Sequence, residues 1–183
     1  LHGLEGSARS GYALETYRQL ARHGLAAVGL NFRSCGGELN HAPRFYHSGE
    51  TGDAALVLGH LAARFPGRPL AMVGFSLGGN VLLRYLGERG AEAAGRVRAA
   101  AAVSVPFDLA AGARHLERGS GRLYVRTLLR SLKRKVVLRA ADLDGRVDPV
   151  AARRATTFRA FDDAVTAPVH GFADASDYYR RAS

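Results

Sequence analysis

The feature that most constrains the fold is a short apolar run followed by a serine between two glycines. Residues 70–73 are apolar and predict a short buried strand. Residues 74–78 read Gly-Phe-Ser-Leu-Gly, and the pattern at 80–86 predicts a helix. A strand, a sharp turn and a helix around Gly-x-Ser-x-Gly together predict a nucleophile elbow with Ser76 at its tip.

Glycines stand two residues before and two residues after this serine. A serine on so sharp a turn has strained backbone geometry, and Gly74 and Gly78 avoid the collisions that larger residues would cause there. The following helix directs its first N–H groups at Ser76, where negative charge develops during acyl transfer. The alternative is a glycine-rich strand–helix turn in which the serine has no chemical role.

Length and composition fit one globular domain. The chain has 183 residues, 47% of them apolar. No run approaches the roughly 20 apolar residues that span a bilayer. Its one cysteine, Cys35, forms no internal disulfide, which suits a reducing, cytoplasmic compartment.

The net charge of +10 comes mostly from arginines scattered along the chain. Scattered charge without a recognition motif indicates compositional bias and predicts no nucleic-acid partner. The sequence has no cluster of metal ligands and no dinucleotide or P-loop fingerprint, so we expect neither a metal nor a cofactor.

Strand-like and helical patterns alternate as far as residue 105. Besides the elbow, they predict a strand tail and loop at 1–7, a helix at 11–23, a strand at 25–32 buried on both faces, a helix at 51–65 and a buried strand at 98–105. The alternation predicts a parallel sheet covered on both faces. The glycine-bearing loop at 1–7 is expected to place backbone N–H groups near the nucleophile.

After Pro106 the alternation stops and helical patterns dominate. They predict helices at 108–117, 123–138, 149–155, 158–165 and 174–181, with one short strand-like run at 136–138. We therefore expect a partial α/β core at 1–105, a helical cap at 106–176, and a return toward the core at 177–183.

Several motifs resemble those of a known family. They lie at 1–7, 31–33, 43–49, 74–80, 104–109 and 167–172. Together they resemble the α/β-hydrolases, and within them the YheT-like branch of bacterial proteins assigned as esterases, which is related to membrane-associated lipid hydrolases of eukaryotes. The resemblance implies a central parallel sheet and a cap inserted after the strand that follows the nucleophile helix. Ser34 is one departure, because the branch more often has glycine there.

The same resemblance implies the catalytic groups. Ser76 would be the nucleophile, and the backbone N–H groups of Leu4 and Leu77 would form the oxyanion hole. In the family the acid and the histidine follow later strands, and neither has a counterpart before Ser183. Because Leu1 is also preceded by no initiator methionine, we expect a fragment truncated at both ends that is inactive alone.

Residues within the chain offer alternatives for the acid and the base. His170 is an alternative base, with Asp162, Asp163 or Asp174 as its acid, although no strand end surrounds it. Asp108 follows a core strand, where some α/β-hydrolases carry the acid, but its place before an apolar helix favours a helix N-cap.

Two other histidines are assigned to the substrate pocket. His2 immediately precedes the glycine of the loop beside the nucleophile. His47 lies in a loop at the carboxyl ends of the strands, where open α/β sheets bind their ligands. For His47 the alternative is to cap the helix that follows it.

These patterns predict a serine hydrolase that acts on carboxylic esters, small-molecule or lipid, through an acyl-enzyme. One alternative is an acyltransferase, in which an alcohol or a thiol replaces water. Another is a ligand-binding protein without catalysis, since a fold does not determine a function. The intact elbow argues against the binding protein, because a binder has no need of a strained serine.

The helix at 123–138 is cationic and amphipathic. Apolar residues at 125, 128, 129, 132 and 136 form a stripe. The basic residues largely off this stripe are Arg126, Arg130, Lys133 and Arg134. One interpretation is a helix packed on the protein with solvated charges. The other is weak peripheral contact of these four residues with anionic lipid, which would make the protein membrane-associated.

Overall fold

The chain folds into two compact units. The computed structural model describes residues 1–143 and 145–183. The first unit comprises Leu1–Gly37 and Ser48–Val105, and the second comprises Glu38–His47 and Pro106–Ser183. The division after Val105 groups the helical half of the chain together with a short loop, and the role of that half as a cap stays a prediction.

A parallel two-stranded sheet lies in the first unit. Strand β1 (Leu70–Phe75) pairs with β2 (Val97–Val103), with Phe75 opposite Val103. The crossover between the strands contains helices α3 (Leu77–Arg89) and α4 (Ala91–Arg96), and α3 contacts both strands. Parallel pairing requires such a crossover, so the strand–helix–strand order expected around the elbow is confirmed.

Two of the predicted buried strands differ in the structure. Residues 25–32 form no strand in the described part of the chain, and Leu25 and Val28 are 56% and 61% exposed. Strand β2 forms where expected, yet Val97 is its one buried residue. The prediction of burial was wrong at both places, because a parallel strand is buried only where neighbouring strands and helices cover it.

The remaining helices of the first unit agree with their predicted positions. They are α1 (Gly11–Arg22) and α2 (Gly52–Arg64). Helix α3 is deeply buried in this unit, since its Val81 and Leu82 are fully buried and its Tyr85 is 2% exposed. This burial anchors the helix whose first residue follows Ser76.

All the regular secondary structure in the described residues of the second unit is helical. Its helices are α5 (Leu109–Leu116), α6 (Gly121–Leu138), a 3-10 turn (Ala140–Leu143), α7 (Pro149–Arg154), α8 (Phe158–Phe161), a π-helical turn (Asp162–Thr166), α9 (Ala167–His170) and α10 (Ala175–Ala182). The strand-like run at 136–138 is the last turn of α6. Among the described residues, no helix has the length and apolarity needed to cross a membrane.

Two contacts hold the second unit together. Leu109 of α5 packs with Tyr178, Tyr179 and Ala182 of α10 in a buried cluster. The loop 38–47 is attached by guanidinium groups that donate to its carbonyl oxygens. Arg139 donates to His41 and Ala42, and Arg146 donates to Pro43. Residues near the end of the chain are therefore part of this helical unit.

Candidate active site

Ser76 occupies the sharp turn between β1 and α3. Its backbone has φ +51° and ψ −120°, a conformation in which residues other than glycine are strained. Its N–H donates to the carbonyl oxygen of Val103 at 2.8 Å, which continues the pairing of β1 with β2 beyond the end of the strand. The serine is thus held at the carboxyl end of the sheet and at the N-terminus of α3.

The glycines on either side of Ser76 lie in contact with backbone atoms. A Cβ atom on Gly74 would lie 2.7 Å from the Cα of Gly79, and one on Gly78 would lie 2.5 Å from the carbonyl oxygen of His2. Both distances are far below van der Waals contact. The turn and the loop before it approach so closely that no side chain fits at either glycine.

A tight turn lies beside the serine. The Gly6 N–H donates to the Gly3 carbonyl oxygen at 3.0 Å, and Glu5 inside the turn has φ +56°. A Cβ on Gly3 would lie 3.3 Å from the Cβ of Ser76. The turn that contains Leu4 is therefore adjacent to the candidate nucleophile.

His2 supports this turn from inside the first unit. The side chain is 3% exposed, and its Nδ1 lies 2.7 Å from the Gly3 carbonyl oxygen. Its Nε2 accepts the Phe32 N–H at 3.0 Å, so the ring carries its proton on Nδ1 and donates it to Gly3. Both ring nitrogens thus bind backbone groups inside the unit, and the pocket role expected of His2 stays a prediction.

Two amide groups near Ser76 are open. Within residues 1–143 and 145–183, the N–H groups of Leu4 and Leu77 donate no hydrogen bond. The Leu77 N–H belongs to the first turn of α3. The first N–H groups of a helix have no intrahelical acceptor, and the N-terminus of the helix carries partial positive charge. These are the two groups that the family resemblance assigns to an oxyanion hole, and that assignment stays a prediction.

His47 lies in an aromatic cluster of the second unit. Its ring centroid is 4.5 Å from that of His170, 5.3 Å from that of Phe172 and 5.7 Å from that of Tyr178. The structure therefore places the two histidines together within the helical unit. A pocket role for His47 and a base role for His170 both stay predictions.

The carboxylates considered as catalytic acids have local partners. Asp108 accepts the Ala111 N–H at 2.8 Å, which confirms it as the N-cap of α5. Asp174 caps α10 in the same way, through the Asp177 N–H. Asp162 accepts bonds from Thr166 and Tyr179, and Asp163 accepts the Ala175 N–H at 2.7 Å. Each carboxylate is thus bound inside the helical unit.

One contact at the site was not expected from the sequence. The Gly3 N–H donates to the Tyr12 hydroxyl oxygen at 2.9 Å. Tyr12 lies in the first turn of α1, and no motif distinguishes a tyrosine at such a position. Only the folded path of the chain brings this hydroxyl to the turn.

A strained serine at a strand–helix turn, flanked by close-packed glycines and open amides, defines the α/β-hydrolase class. The chain belongs to a family of this class, described as Serine aminopeptidase, S33, whose family model matches residues 1–178. The resemblance inferred from the motifs and the fold class are thereby confirmed.

Several curated proteins are similar to the whole of this chain. It is 42% identical to the Putative esterase YheT of Escherichia coli, 31% identical to a Monoacylglycerol lipase of Saccharomyces cerevisiae and 32% identical to Phospholipase ABHD3 of Mus musculus. The alignments cover 100% of this chain but 54%, 42% and 44% of those proteins. The chain thus spans about half the length of the curated relatives it matches. No solved structure matches it.

Proposed function

We propose that the protein containing this chain hydrolyses carboxylic esters of fatty acids, with Ser76 as the nucleophile. The observation that carries the proposal is the geometry of Ser76. Its backbone φ is +51°, and it lies at the carboxyl end of the sheet beside two open amides. The names of the relatives, an esterase, a monoacylglycerol lipase and a phospholipase, support ester substrates with acyl chains.

The reaction follows from these groups. Ser76 Oγ attacks the ester carbonyl carbon, and its proton passes to a general base, which returns it to the departing alcohol as the C–O bond breaks. The N–H groups of Leu4 and Leu77 stabilise the oxyanion. Water then adds to the acyl-enzyme and releases the carboxylic acid. By likeness to the family, the base is a histidine paired with an acid in the portion of the relatives that this chain does not span.

The test replaces two serines that share an unusual backbone conformation. Ser104, which follows β2, has φ +55°, close to the value at Ser76. In the full-length protein, Ser76→Ala should lower turnover of a short p-nitrophenyl ester by about 10³-fold or more, whereas Ser104→Ala should keep most of it.

A fluorophosphonate should label Ser76 and add one adduct mass. Turnover retained by a folded Ser76→Ala variant would refute the assignment, and an ester product formed with added alcohol would indicate acyl transfer instead.

Helix α6 supports a second element of the proposal, weak adsorption to anionic lipid. Arg126, Arg130 and Arg134 are exposed along one face of the helix. Leu123 and Val137, at the two ends of that face, are 71% and 60% exposed. Because the apolar stripe of α6 is buried in the protein, the adsorption would rest on attraction of this cationic face to anionic headgroups. Each arginine near an anionic surface contributes about 1 kcal/mol.

Lys133 has a smaller part in this face than the sequence suggested. Its Nζ donates to the Arg153 carbonyl oxygen at 2.9 Å. This bond draws the ammonium group toward α7. The proposed lipid contact therefore rests on the three arginines.

Vesicle binding tests the adsorption. Changing Arg126, Arg130 and Arg134 to Gln should weaken binding to phosphatidylglycerol-containing vesicles at least about 10-fold in low salt. The control changes Arg9, Arg68 and Arg98 to Gln, which removes the same charge from exposed sites on separate elements. Hydrolysis of a soluble ester should stay unchanged in both variants. Equal binding of the two variants, or equal binding to phosphatidylcholine, would show that these charges are simply solvated.

A further inference from the structure

Tyr12 joins the turn beside Ser76 to the residue that precedes Ser76. Its Oη accepts the Gly3 N–H at 2.9 Å. Its ring centroid lies 4.9 Å from that of Phe75, with an interplanar angle of 52°. One side chain of α1 therefore contacts both the candidate oxyanion-hole turn and the end of β1.

Gly6 of the turn leaves the space that the Tyr12 hydroxyl occupies, and Gly3 lies in contact with that hydroxyl. A Cβ on Gly6 would lie 2.7 Å from Oη, and a Cβ on Gly3 would lie 3.8 Å from Oη and 3.3 Å from the Cβ of Ser76. The turn thus approaches the tyrosine as closely as a bare backbone allows. The hydroxyl and the candidate nucleophile lie on the same side of Gly3.

The hydrogen bonds of Gly3 determine where the next N–H group points. Its N–H is bound by Tyr12, and its carbonyl oxygen is bound by His2 and Gly6. In a trans peptide the carbonyl and the following N–H point in opposite directions. The bonds to Gly3 therefore fix the direction of the Leu4 N–H, and loss of the tyrosine hydroxyl would leave Gly3 held on its carbonyl side alone.

We propose that Tyr12 is a positioning residue for ester hydrolysis, holding the turn so that the Leu4 N–H meets the oxyanion. This inference rests on the proposed function of Ser76. Tyr12 acts through the Leu4 amide and contacts no reacting atom. Deleting an oxyanion-hole donor lowers kcat by about 10²–10³-fold. A donor that is displaced still contributes, so loss of the tyrosine hydroxyl lowers kcat by about 10- to 100-fold.

Two tyrosines of α1 give a matched pair of variants. Tyr12→Phe and Tyr17→Phe each remove one hydroxyl from the same helix, but that of Tyr17 lies against Gly29 instead of the turn. In the full-length protein, Tyr12→Phe should lower kcat for a short p-nitrophenyl ester about 10- to 100-fold, with KM and Tm near those of the wild type. Tyr17→Phe should keep kcat within about twofold.

A trifluoromethyl ketone, which forms a tetrahedral oxyanion adduct with an active serine, adds a measurement that a structural role would not move. Its inhibition constant should weaken in Tyr12→Phe by the same factor as kcat, while binding of the product carboxylate stays unchanged. The role of Tyr12 would be overturned by equal kcat in the two variants. It would also be overturned by a loss of kcat that follows a fall in Tm, or by an unchanged inhibition constant in Tyr12→Phe. An active Ser76→Ala variant would instead refute the proposed function itself, so the two failures are distinguishable.

Discussion

The two units begin their helices in different ways. Among the described residues of the first unit, no N-cap side chain of α1 to α4 accepts a helix N–H. In the second unit, four helices have such a side chain: Asp108, Asp148, Thr157 and Asp174. The described residues of the first unit thus have no N-cap side-chain bond, although Glu50 accepts the Gly52 N–H at the start of α2, whereas four of the six α-helices described in the second unit have one.

The difference separates helix starts that depend on tertiary contacts from helix starts that depend on local signals. The open N-terminus of α3 leaves N–H groups beside Ser76 for a developing negative charge. The start of α3 is positioned instead by backbone from a distant part of the chain, since Gly78 packs against the carbonyl group of His2. In the second unit an aspartate or threonine three residues or fewer before the bound N–H fixes where a helix begins.

The largest effect on stability is expected at a glycine that packs directly against the backbone of another segment. Gly78→Ala would place a Cβ 2.5 Å from the His2 carbonyl oxygen, so we expect a loss of about 3 kcal/mol or more in the free energy of unfolding. Gly87 lies in the same helix with nothing within 4 Å of its missing Cβ. Gly87→Ala should therefore stabilise the protein by about 0.5–1 kcal/mol. Urea unfolding of both variants measures the contrast, and similar values would show that the turn adapts.

The second unit should respond to pH through Asp162. Burial raises the pKa of this carboxyl to about 6 from 3.8, although Thr166 and Tyr179 donate to it at 2.6 and 2.7 Å and act in the opposite direction. The folded state then holds the proton more tightly than the unfolded chain does. The contribution of Asp162 to stability is full below about pH 4 and is lost as the pH rises through about 6.

Asp162→Asn should remove this dependence. Relative to the wild type, the variant should gain about 1–3 kcal/mol between pH 4 and pH 7, since one pKa unit corresponds to about 1.4 kcal/mol. Asp177 is a control whose pKa shifts in the opposite direction, because the Ala173 N–H and Arg181 lower its pKa. Asp177→Asn should lose relative stability as the pH rises from 2 toward 5. Urea unfolding across this range checks both, and parallel curves for wild type and Asp162→Asn would contradict the first.

The smallest effect is expected at a single cap. Asp108→Ala removes the acceptor of the Ala111 N–H and should cost about 1 kcal/mol, with ester turnover unchanged. Ser120 precedes α6 without a side-chain cap bond, so Ser120→Ala should cost less than about 0.5 kcal/mol. Thermal unfolding and p-nitrophenyl ester turnover measure the two variants. A loss of activity out of proportion to stability would assign Asp108 to catalysis after all.

The helices and the elbow were predictable because their signals lie within a few residues. Asp108 marks the start of α5, and apolar spacing predicts the buried face of α6. The segment at 25–32 was misread as a buried strand, because an apolar run indicates a tendency to be buried but not whether neighbours cover it. Lys133 was misread for a similar reason, since its partner is a carbonyl on another helix.

By itself, the sequence determined the position of Ser76, the need for glycine at 74 and 78, and most helix boundaries, since each depends on local backbone geometry. Only the tertiary structure decided that His2 turns inward to the Gly3 carbonyl and that Tyr12 binds the Gly3 N–H. It likewise decided that the Leu4 and Leu77 amides stay open. Those facts depend on segments brought together from different parts of the chain. Hydrogen bonds between such segments follow from the path of the backbone, which no local pattern specifies.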